Sequence, residues 1–330
     1  MRVLVLSDAE VHAALAPEDC ERAMASVLAA QARGEAYTPL RSVMSAPGAS
    51  GLMGLMPAYS AGGSGAAFAL KALCLMPGNP RRGLDAHQGI MTLFDGDTGR
   101  PTAILNASAI TAIRTAAVTA AATRTLARAD ARVLAILGAG VQGRSHLRAL
   151  ATVRPWRDVR IYAPTTEHAR AAADAAGAYG PPPRVTATAR EAVDGADVVV
   201  TATSARRPVL EHGWLTPGAH VNAVGASLPS AREIDQATVA AAALFCDSRE
   251  SVRNEAGEYQ LAIEQGTIPA DDAHIRAELG EVLAGLRPGR TDAAELTLFR
   301  SLGIGVEDLA AAQVAVELAT RDGLGAEIEL

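Results

Sequence analysis

The hexapeptide Gly138-Ala139-Gly140-Val141-Gln142-Gly143 carries a Gly-x-Gly-x-x-Gly spacing. An apolar run at 133–137 precedes it and a helical pattern opens at Val141, the strand–turn–helix context in which this spacing has a physical purpose. Gly138 permits a tight turn, Gly140 lets backbone N–H groups reach a pyrophosphate, and Gly143 lets helix and strand approach closely. The donors and partial positive charge of a helix N-terminus favour phosphate. A second candidate comes from composition. Of 30 Lys and Arg residues, 29 are Arg and one is Lys71. A coding bias that writes Arg for any generic cation accounts for the asymmetry. It also marks the survivor, because a guanidinium stays charged and cannot replace an amine that must release a proton.

The end of the second apolar run bears on the dinucleotide. NAD is held there by an acid that binds the ribose diol. This chain has Tyr162-Ala163-Pro164-Thr165-Thr166, with Glu167 only later. Two hydroxyls, Thr165 and Thr166, with His168 and Arg170 nearby, suit a 2′-phosphate better, so NADP(H) is expected over NAD(H). Thr165 or Thr166 is equally placed to cap the following helix, and the two roles are compatible.

These residues need a frame. At 330 residues the chain has room for two domains. From about residue 130 it alternates: strand patterns at 133–137, 159–162, 185–187, 197–203, 221–224 and 243–246, helical ones at 141–152 and 166–177. Such alternation implies a doubly wound parallel α/β sheet. The first 120 residues are mixed, with a helix at 17–32 and strands at 52–57, 68–75 and 89–94. Asp95-Gly96 and Thr98-Gly99 form a hairpin turn, and Gly62-Gly63-Ser64-Gly65 suggests a flexible one. The stretch 171–183, ending in three prolines, is expected as a loop. An amphipathic helix at 306–319 is expected to return to the first domain.

Other classes fall away. Net charge is −6 and no basic cluster is interleaved with aromatics, which argues against nucleic acid. No run has the length of a membrane span. Cys20, Cys74 and Cys246 are odd in number and far apart, and read as reduced cytoplasmic thiols. The seven histidines show no zinc-site spacing, so no metal is expected.

The chain resembles the ornithine cyclodeaminase/mu-crystallin family over nearly its whole length. The markers are Thr38-Pro39-Leu40-Arg41, Lys71 with Pro77-Gly78-Asn79-Pro80, Leu93-Phe94-Asp95-Gly96-Asp97-Thr98-Gly99-Arg100-Pro101, Ile110-Thr111-Ala112-Ile113-Arg114-Thr115-Ala116-Ala117, the glycine turn, Asn222-Ala223-Val224-Gly225, Asp247-Ser248, and Thr297-Leu298-Phe299-Arg300-Ser301-Leu302-Gly303. The resemblance implies a homodimer with an α+β substrate and dimerisation domain, residues 1–120 completed by 305–330, and a Rossmann NAD(P) domain, 121–304. It implies that Arg114 holds a substrate carboxylate, that Arg41 contacts substrate, and that Lys71 is the active-site lysine. An ammonium beside two arginines should have a depressed pKa and could protonate an imine nitrogen. Thr115 then matches a phosphate contact. Thr201, Ala202, Thr203 and Val224, with Ser227, match strand-end loops that the resemblance implies lie near the nicotinamide, and Leu302 and Gly303 match the segment closing over it.

One departure directs the reading. Cyclodeaminases of this family carry an acid where this chain has Ser227, and a serine accepts no proton near neutrality without a base. Glu233 and Asp235, expected on the next helix, lie too far along to substitute. The sequence therefore reads as an NAD(P)H-dependent reductase of a ketimine or cyclic 2-imino acid. An amino-acid dehydrogenase acting on a 2-keto acid plus ammonia is the alternative, with cyclodeaminase less favoured. A non-catalytic binding protein would have no use for Lys71 beside Arg41 and Arg114. Met53, Met56, Leu75, His87 and Leu302 are candidates to line a pocket, though methionine is more often core.

Overall fold

Apolar runs and helical patterns fold in this chain into two units, each with its own sheet, in a computed structural model that describes residues 2–62, 65–176 and 179–330. The chain begins with β1 (Arg2–Leu6), α1 (Asp8–Ala14), α2 (Pro17–Ala32), β2 (Ala36–Tyr37), β3 (Ser42–Met44), β4 (Leu52–Ser60), β5 (Ala67–Leu75), β6 (His87–Asp95), β7 (Pro101–Asn106) and α3 (Ala107–Leu126). It continues with β8 (Val133–Leu137), α4 (Val141–Leu150), β9 (Asp158–Tyr162), α5 (Thr166–Ala176), β10 (Arg184–Val185), α6 (Ala189–Val193), β11 (Val198–Thr201), β12 (His220–Ala223), α7 (Gln236–Ala241) and β13 (Ala243–Cys246). Then come α8 (Arg249–Glu255), α9 (Gly257–Glu264), β14 (Ile275–Glu278), α10 (Leu279–Leu283), β15 (Thr297–Arg300), α11 (Gly305–Asp322) and β16 (Ala326–Glu329). Unit 1 is Met1–Arg114 with Gly303–Leu330, and unit 2 is Thr115–Leu302. The division falls inside α3.

Unit 1 is a mixed sheet ordered β16-β1-β7-β6-β5-β4-β2, with β3 also on β4. Antiparallel register sets Met56, Lys71 and Met91 side by side across β4, β5 and β6. Strand alternation then divides the residues. Ala67, Ala69 and Lys71 of β5 are buried, while Phe68 is exposed. The tail helix α11 packs on α2 and on β4, β5 and β6. The spacing of α2 explains its part: Cys20, Met24, Val27 and Leu28 recur on one buried face, behind Pro17 at the first helical position.

Unit 2 is a sheet ordered β10-β9-β8-β11-β12-β15-β13-β14, parallel at every pairing. Helices on both faces bury its strands twice over, so β8, β11, β12 and β13 are buried at every position. Two strands here escaped the sequence reading, β14 and β15. The ends of β15 are Thr297 and Arg300, polar yet buried, which broke the apolar signal.

Two expectations need correction. The segment 171–183 is not all loop: α5 runs to Ala176 because Ala169, Ala172, Ala173 and Ala176 form a buried stripe. Glu233 is not helical, since α7 begins at Gln236 with Asp235 as its N-cap. Gly63 and Ser64 of the suggested hairpin lie outside the described residues, as do Met1, Gly177 and Ala178.

Candidate active site

In unit 1, Lys71 sits mid-strand in β5 with its side chain 1% exposed. Its Nζ lies 2.5 Å from Asp308 Oδ2 and donates to Thr111 Oγ1 at 3.4 Å. Arg114 donates from Nε to Asp308 Oδ1 and from Nη1 to Glu307 Oε2, both at 2.9 Å. Glu307 and Asp308 are wholly buried in the first turn of α11, where the helix dipole favours acids. Arg41 donates from Nη2 to Gly303 O at 2.7 Å. Gly303 adopts φ +75°, and a Cβ there would lie 2.4 Å from Arg114 Nη1. A glycine is thus required both by the backbone and by the guanidinium beside it.

Burial pulls the Lys71 ammonium down from 10.5 to about 8, with Arg114 and Arg41 adding to the shift and Asp308 opposing it. For Asp308 burial works the other way, but Arg114 and Lys71 outweigh it and hold the carboxyl below its usual range. Five charged groups therefore meet: Lys71, Arg114 and Arg41 against Glu307 and Asp308. Met56 is buried core beside Lys71. His87, at the start of β6, lies on the same strand face as Met91 and Lys71, and burial, with Lys71 adding to it, lowers its imidazole pKa.

In unit 2, the glycine turn joins β8 to α4. Gly138 has φ +120°, and a Cβ there would lie 2.3 Å from Ala202 O; its N–H donates to Tyr162 O at 2.8 Å. A Cβ at Gly140 would meet nothing within 4 Å. Gly140 is the N-cap of α4, and the first-turn N–H groups precede any i−4 acceptor. This open cradle of donors fits a dinucleotide pyrophosphate. Ala139 and Gly143 are buried, while Val141 is 45% exposed and Gln142 half-buried. Thr165, Thr166 and His168 are exposed at the end of β9 and the start of α5. Thr115 is buried on α3, Thr201 and Val224 are buried at strand ends, and Ser227 is exposed beyond β12. Leu302 is buried, and its N–H donates to Asp247 Oδ2 at 2.6 Å.

The structure thus gathers Lys71, Arg41, Arg114 and Gly303 in unit 1, and the glycine turn with Thr201, Ala202, Thr203 and Val224 in unit 2. Sequence reasoning missed Asp308, Glu307 and Thr111. The one available signal was two adjacent acids, Glu307-Asp308, leading into the apolar tail helix. Among the described residues no group of three or more His, Cys, Asp or Glu could hold a metal ion, and no helix is long and apolar enough to cross a membrane.

A Rossmann sheet with an open glycine turn, and a buried lysine held between an arginine and two acids, are the parts of a dinucleotide-dependent oxidoreductase. The chain belongs to the ornithine cyclodeaminase/mu-crystallin family, whose model matches residues 1–322. It is similar to the ketimine reductase mu-crystallin of Mus musculus, 39% identical over 284 residues that make up 86% of each chain. The structure of the Thermococcus litoralis Delta(1)-pyrroline-2-carboxylate reductase in complex with NADH and L-proline superposes with a TM-score of 0.94. That match is at 34% identity and covers 99% of this chain and 100% of that one. An archaeal alanine dehydrogenase dimer with bound NAD gives a TM-score of 0.92 at 31% identity, with all of both chains covered.

Proposed function

We propose that the chain reduces the C=N bond of a 2-imino acid, of the ketimine or cyclic pyrroline-2-carboxylate and piperideine-2-carboxylate type, to the amino acid. The observation that carries this is Lys71: a buried ammonium at Asp308, with Arg114 and Arg41 beside it and a pKa of about 8. Unit 1 takes the substrate. Arg114, with Arg41, binds the carboxylate through charge-assisted hydrogen bonds. Asp308 holds Lys71 protonated until the imine arrives, and Nζ then gives its proton to the imine nitrogen. When bound, the reduced nicotinamide supplies the hydride that the imine carbon receives. The closed sum is imine, proton and hydride to amine, with Lys71 reprotonated from solvent.

Unit 2 takes the dinucleotide, its pyrophosphate at Gly138–Gly143 and its nicotinamide end along Thr201, Ala202, Thr203 and Val224. Thr165, Thr166 and His168, exposed with no acid at the tip of β9, favour the 2′-phosphate of NADP(H) over NAD(H). The apolar outer face of the unit 1 sheet supports a homodimer, and Cys20, Cys74 and Cys246, all free, support a cytoplasmic enzyme.

The test is NADPH and NADH oxidation with Δ1-pyrroline-2-carboxylate and Δ1-piperideine-2-carboxylate in ammonia-free buffer. Turnover with either imine supports the reading. Turnover that appears only with a 2-keto acid plus ammonia replaces it with the dehydrogenase alternative. A lower KM for NADH than for NADPH overturns the cofactor preference alone.

A further inference from the structure

Four donors converge on one buried carboxylate in unit 2. Glu233, 1% exposed, accepts from Thr201 Oγ1 at 3.0 Å and Gly225 N at 2.6 Å on Oε2. On Oε1 it accepts from Thr203 N at 2.6 Å and Thr203 Oγ1 at 2.7 Å. Thr201 ends β11 and Gly225 lies just past β12, so one side chain ties two neighbouring strand ends. The approach is close: a Cβ on Gly225 would lie 2.2 Å from Thr203 O and 2.6 Å from Glu233 Oε1.

The same loop is held from its other side. Arg300, 2% exposed at the end of β15, donates from Nη1 to Ala223 O at 3.0 Å and from Nη2 to Ala226 O, while its Nε faces Glu258. Residues 223–226 are thus gripped through an amide N–H by a carboxylate and through two carbonyls by a guanidinium. Four donors fill the acceptor sites of an ionised carboxylate. A neutral acid or an amide would turn a donor against one of them, leaving a buried group unpaired.

We infer that Glu233 is a positioning residue for hydride transfer, framing the β11 and β12 ends that receive the nicotinamide. This rests on reading the chain as a dinucleotide-dependent reductase. Burial raises the pKa of Glu233, with the Thr203 hydrogen bonds, Arg300 and the Gly225 N–H opposing that rise. Misplacing a reacting centre by about 1 Å costs up to about 100-fold in rate, and the Gly225 N–H is held by Glu233 Oε2.

The experiment compares wild type with Glu233→Gln and Thr201→Val. The readouts are NAD(P)H binding by fluorescence, kcat and both KM values, and the primary isotope effect with 4-deuterated NAD(P)H. Glu233→Gln should lower kcat by about 10-fold or more, raise the KM for NAD(P)H, leave the KM for the imino acid within about 3-fold, and enlarge the isotope effect as hydride transfer becomes limiting. Thr201→Val, which removes one donor without changing shape, should move the same readouts less, and it decides the matter if Glu233→Gln does not fold. A staple that serves stability alone would lower the melting temperature and leave the isotope effect and the KM split at wild-type values; that result in a folded variant overturns the inference. If the wild type binds no NAD(P)H, the parent reading fails and this one falls with it.

Discussion

Lys71 and Asp308 face each other at 2.5 Å with side chains 1% and 0% exposed, 237 positions apart in the sequence. The carboxylate also takes Arg114 Nε on its other oxygen, so it is shared by two cations and cannot fully offset either. Asp308 is thereby a setting device. It keeps the ammonium charged enough to hold a proton, while burial and the arginines keep that proton easy to lose.

The pH profile follows. Lys71 must be protonated to donate, so kcat/KM should fall above pH about 8 with a slope of about −1. Stability moves the other way at first. Between about 8 in the folded state and 10.5 unfolded, the unfolded chain binds the proton and the folded one does not, so Lys71 makes stability rise with pH there. Burial raises the thiols of Cys20 and Cys246 above their ordinary 9.0, and their contribution falls as pH passes that value. Activity lost between pH 8 and 9 with an undiminished melting temperature is the expected signature. Parallel loss of both would assign the limb to unfolding.

Lys71→Arg keeps the charge and removes the transferable proton. It should lower kcat by about 100-fold or more, the worth of a positioned proton donor, while NAD(P)H affinity measured by fluorescence stays within about 3-fold. A rate near that of the wild type removes Lys71 from the chemistry.

Asp308→Asn leaves Lys71 and Arg114 facing a neutral amide. Breaking a buried pair in this way costs about 3–5 kcal/mol, readable by denaturant titration. Because Asp308 opposes the downward shift of Lys71, its loss should also move the alkaline limb of kcat/KM to lower pH. A limb that stays in place or moves upward would show that Asp308 does not set Lys71.

What the sequence revealed, and what it hid, have physical reasons. The glycine turn was legible because its function is local: strand, turn and helix N-terminus adjoin in the chain. Lys71 was legible through composition. Asp308 and Glu307 were not, because their partner Arg114 is 194 and 193 positions away and only the return of α11 onto β5 brings Asp308 to Lys71. The structural part of Glu233 was not legible either, because it lies eight positions beyond Gly225. The chain turns back to put its carboxylate 2.6 Å from Gly225 N. Strand β15 hid because its polar ends are satisfied by partners far off in sequence, His220 and Leu126 O on Thr297 and Ala223 O on Arg300.

Gly138→Ala tests the dinucleotide turn. Its φ of +120° and the 2.3 Å approach to Ala202 O make any side chain strained, by about 1–3 kcal/mol. The strain is relieved by moving the turn or Ala202, both assigned to the dinucleotide. NAD(P)H affinity should fall by about 10-fold or more, at 1.4 kcal/mol per decade. Unchanged affinity in the folded variant would move the pyrophosphate elsewhere.

The subunit contact is the last test. The unit 1 sheet is covered by α11 on one face, whereas its other face presents Leu55, Ala72 and Ile90 in one cross-strand row. Tyr59 and Phe68 form a second row, their rings 4.8 Å apart. Phe68 is 49% exposed and Ile90 50%. A contiguous apolar face of this kind marks an association surface, and a two-fold contact sets the same patch against itself. Phe68→Glu with Ile90→Glu should therefore convert a dimer to monomers in analytical ultracentrifugation, since two-fold pairing sets like charges against one another in a buried contact. A wild type that sediments as a monomer at micromolar concentration, or a double variant that remains dimeric, would exclude this face as the contact.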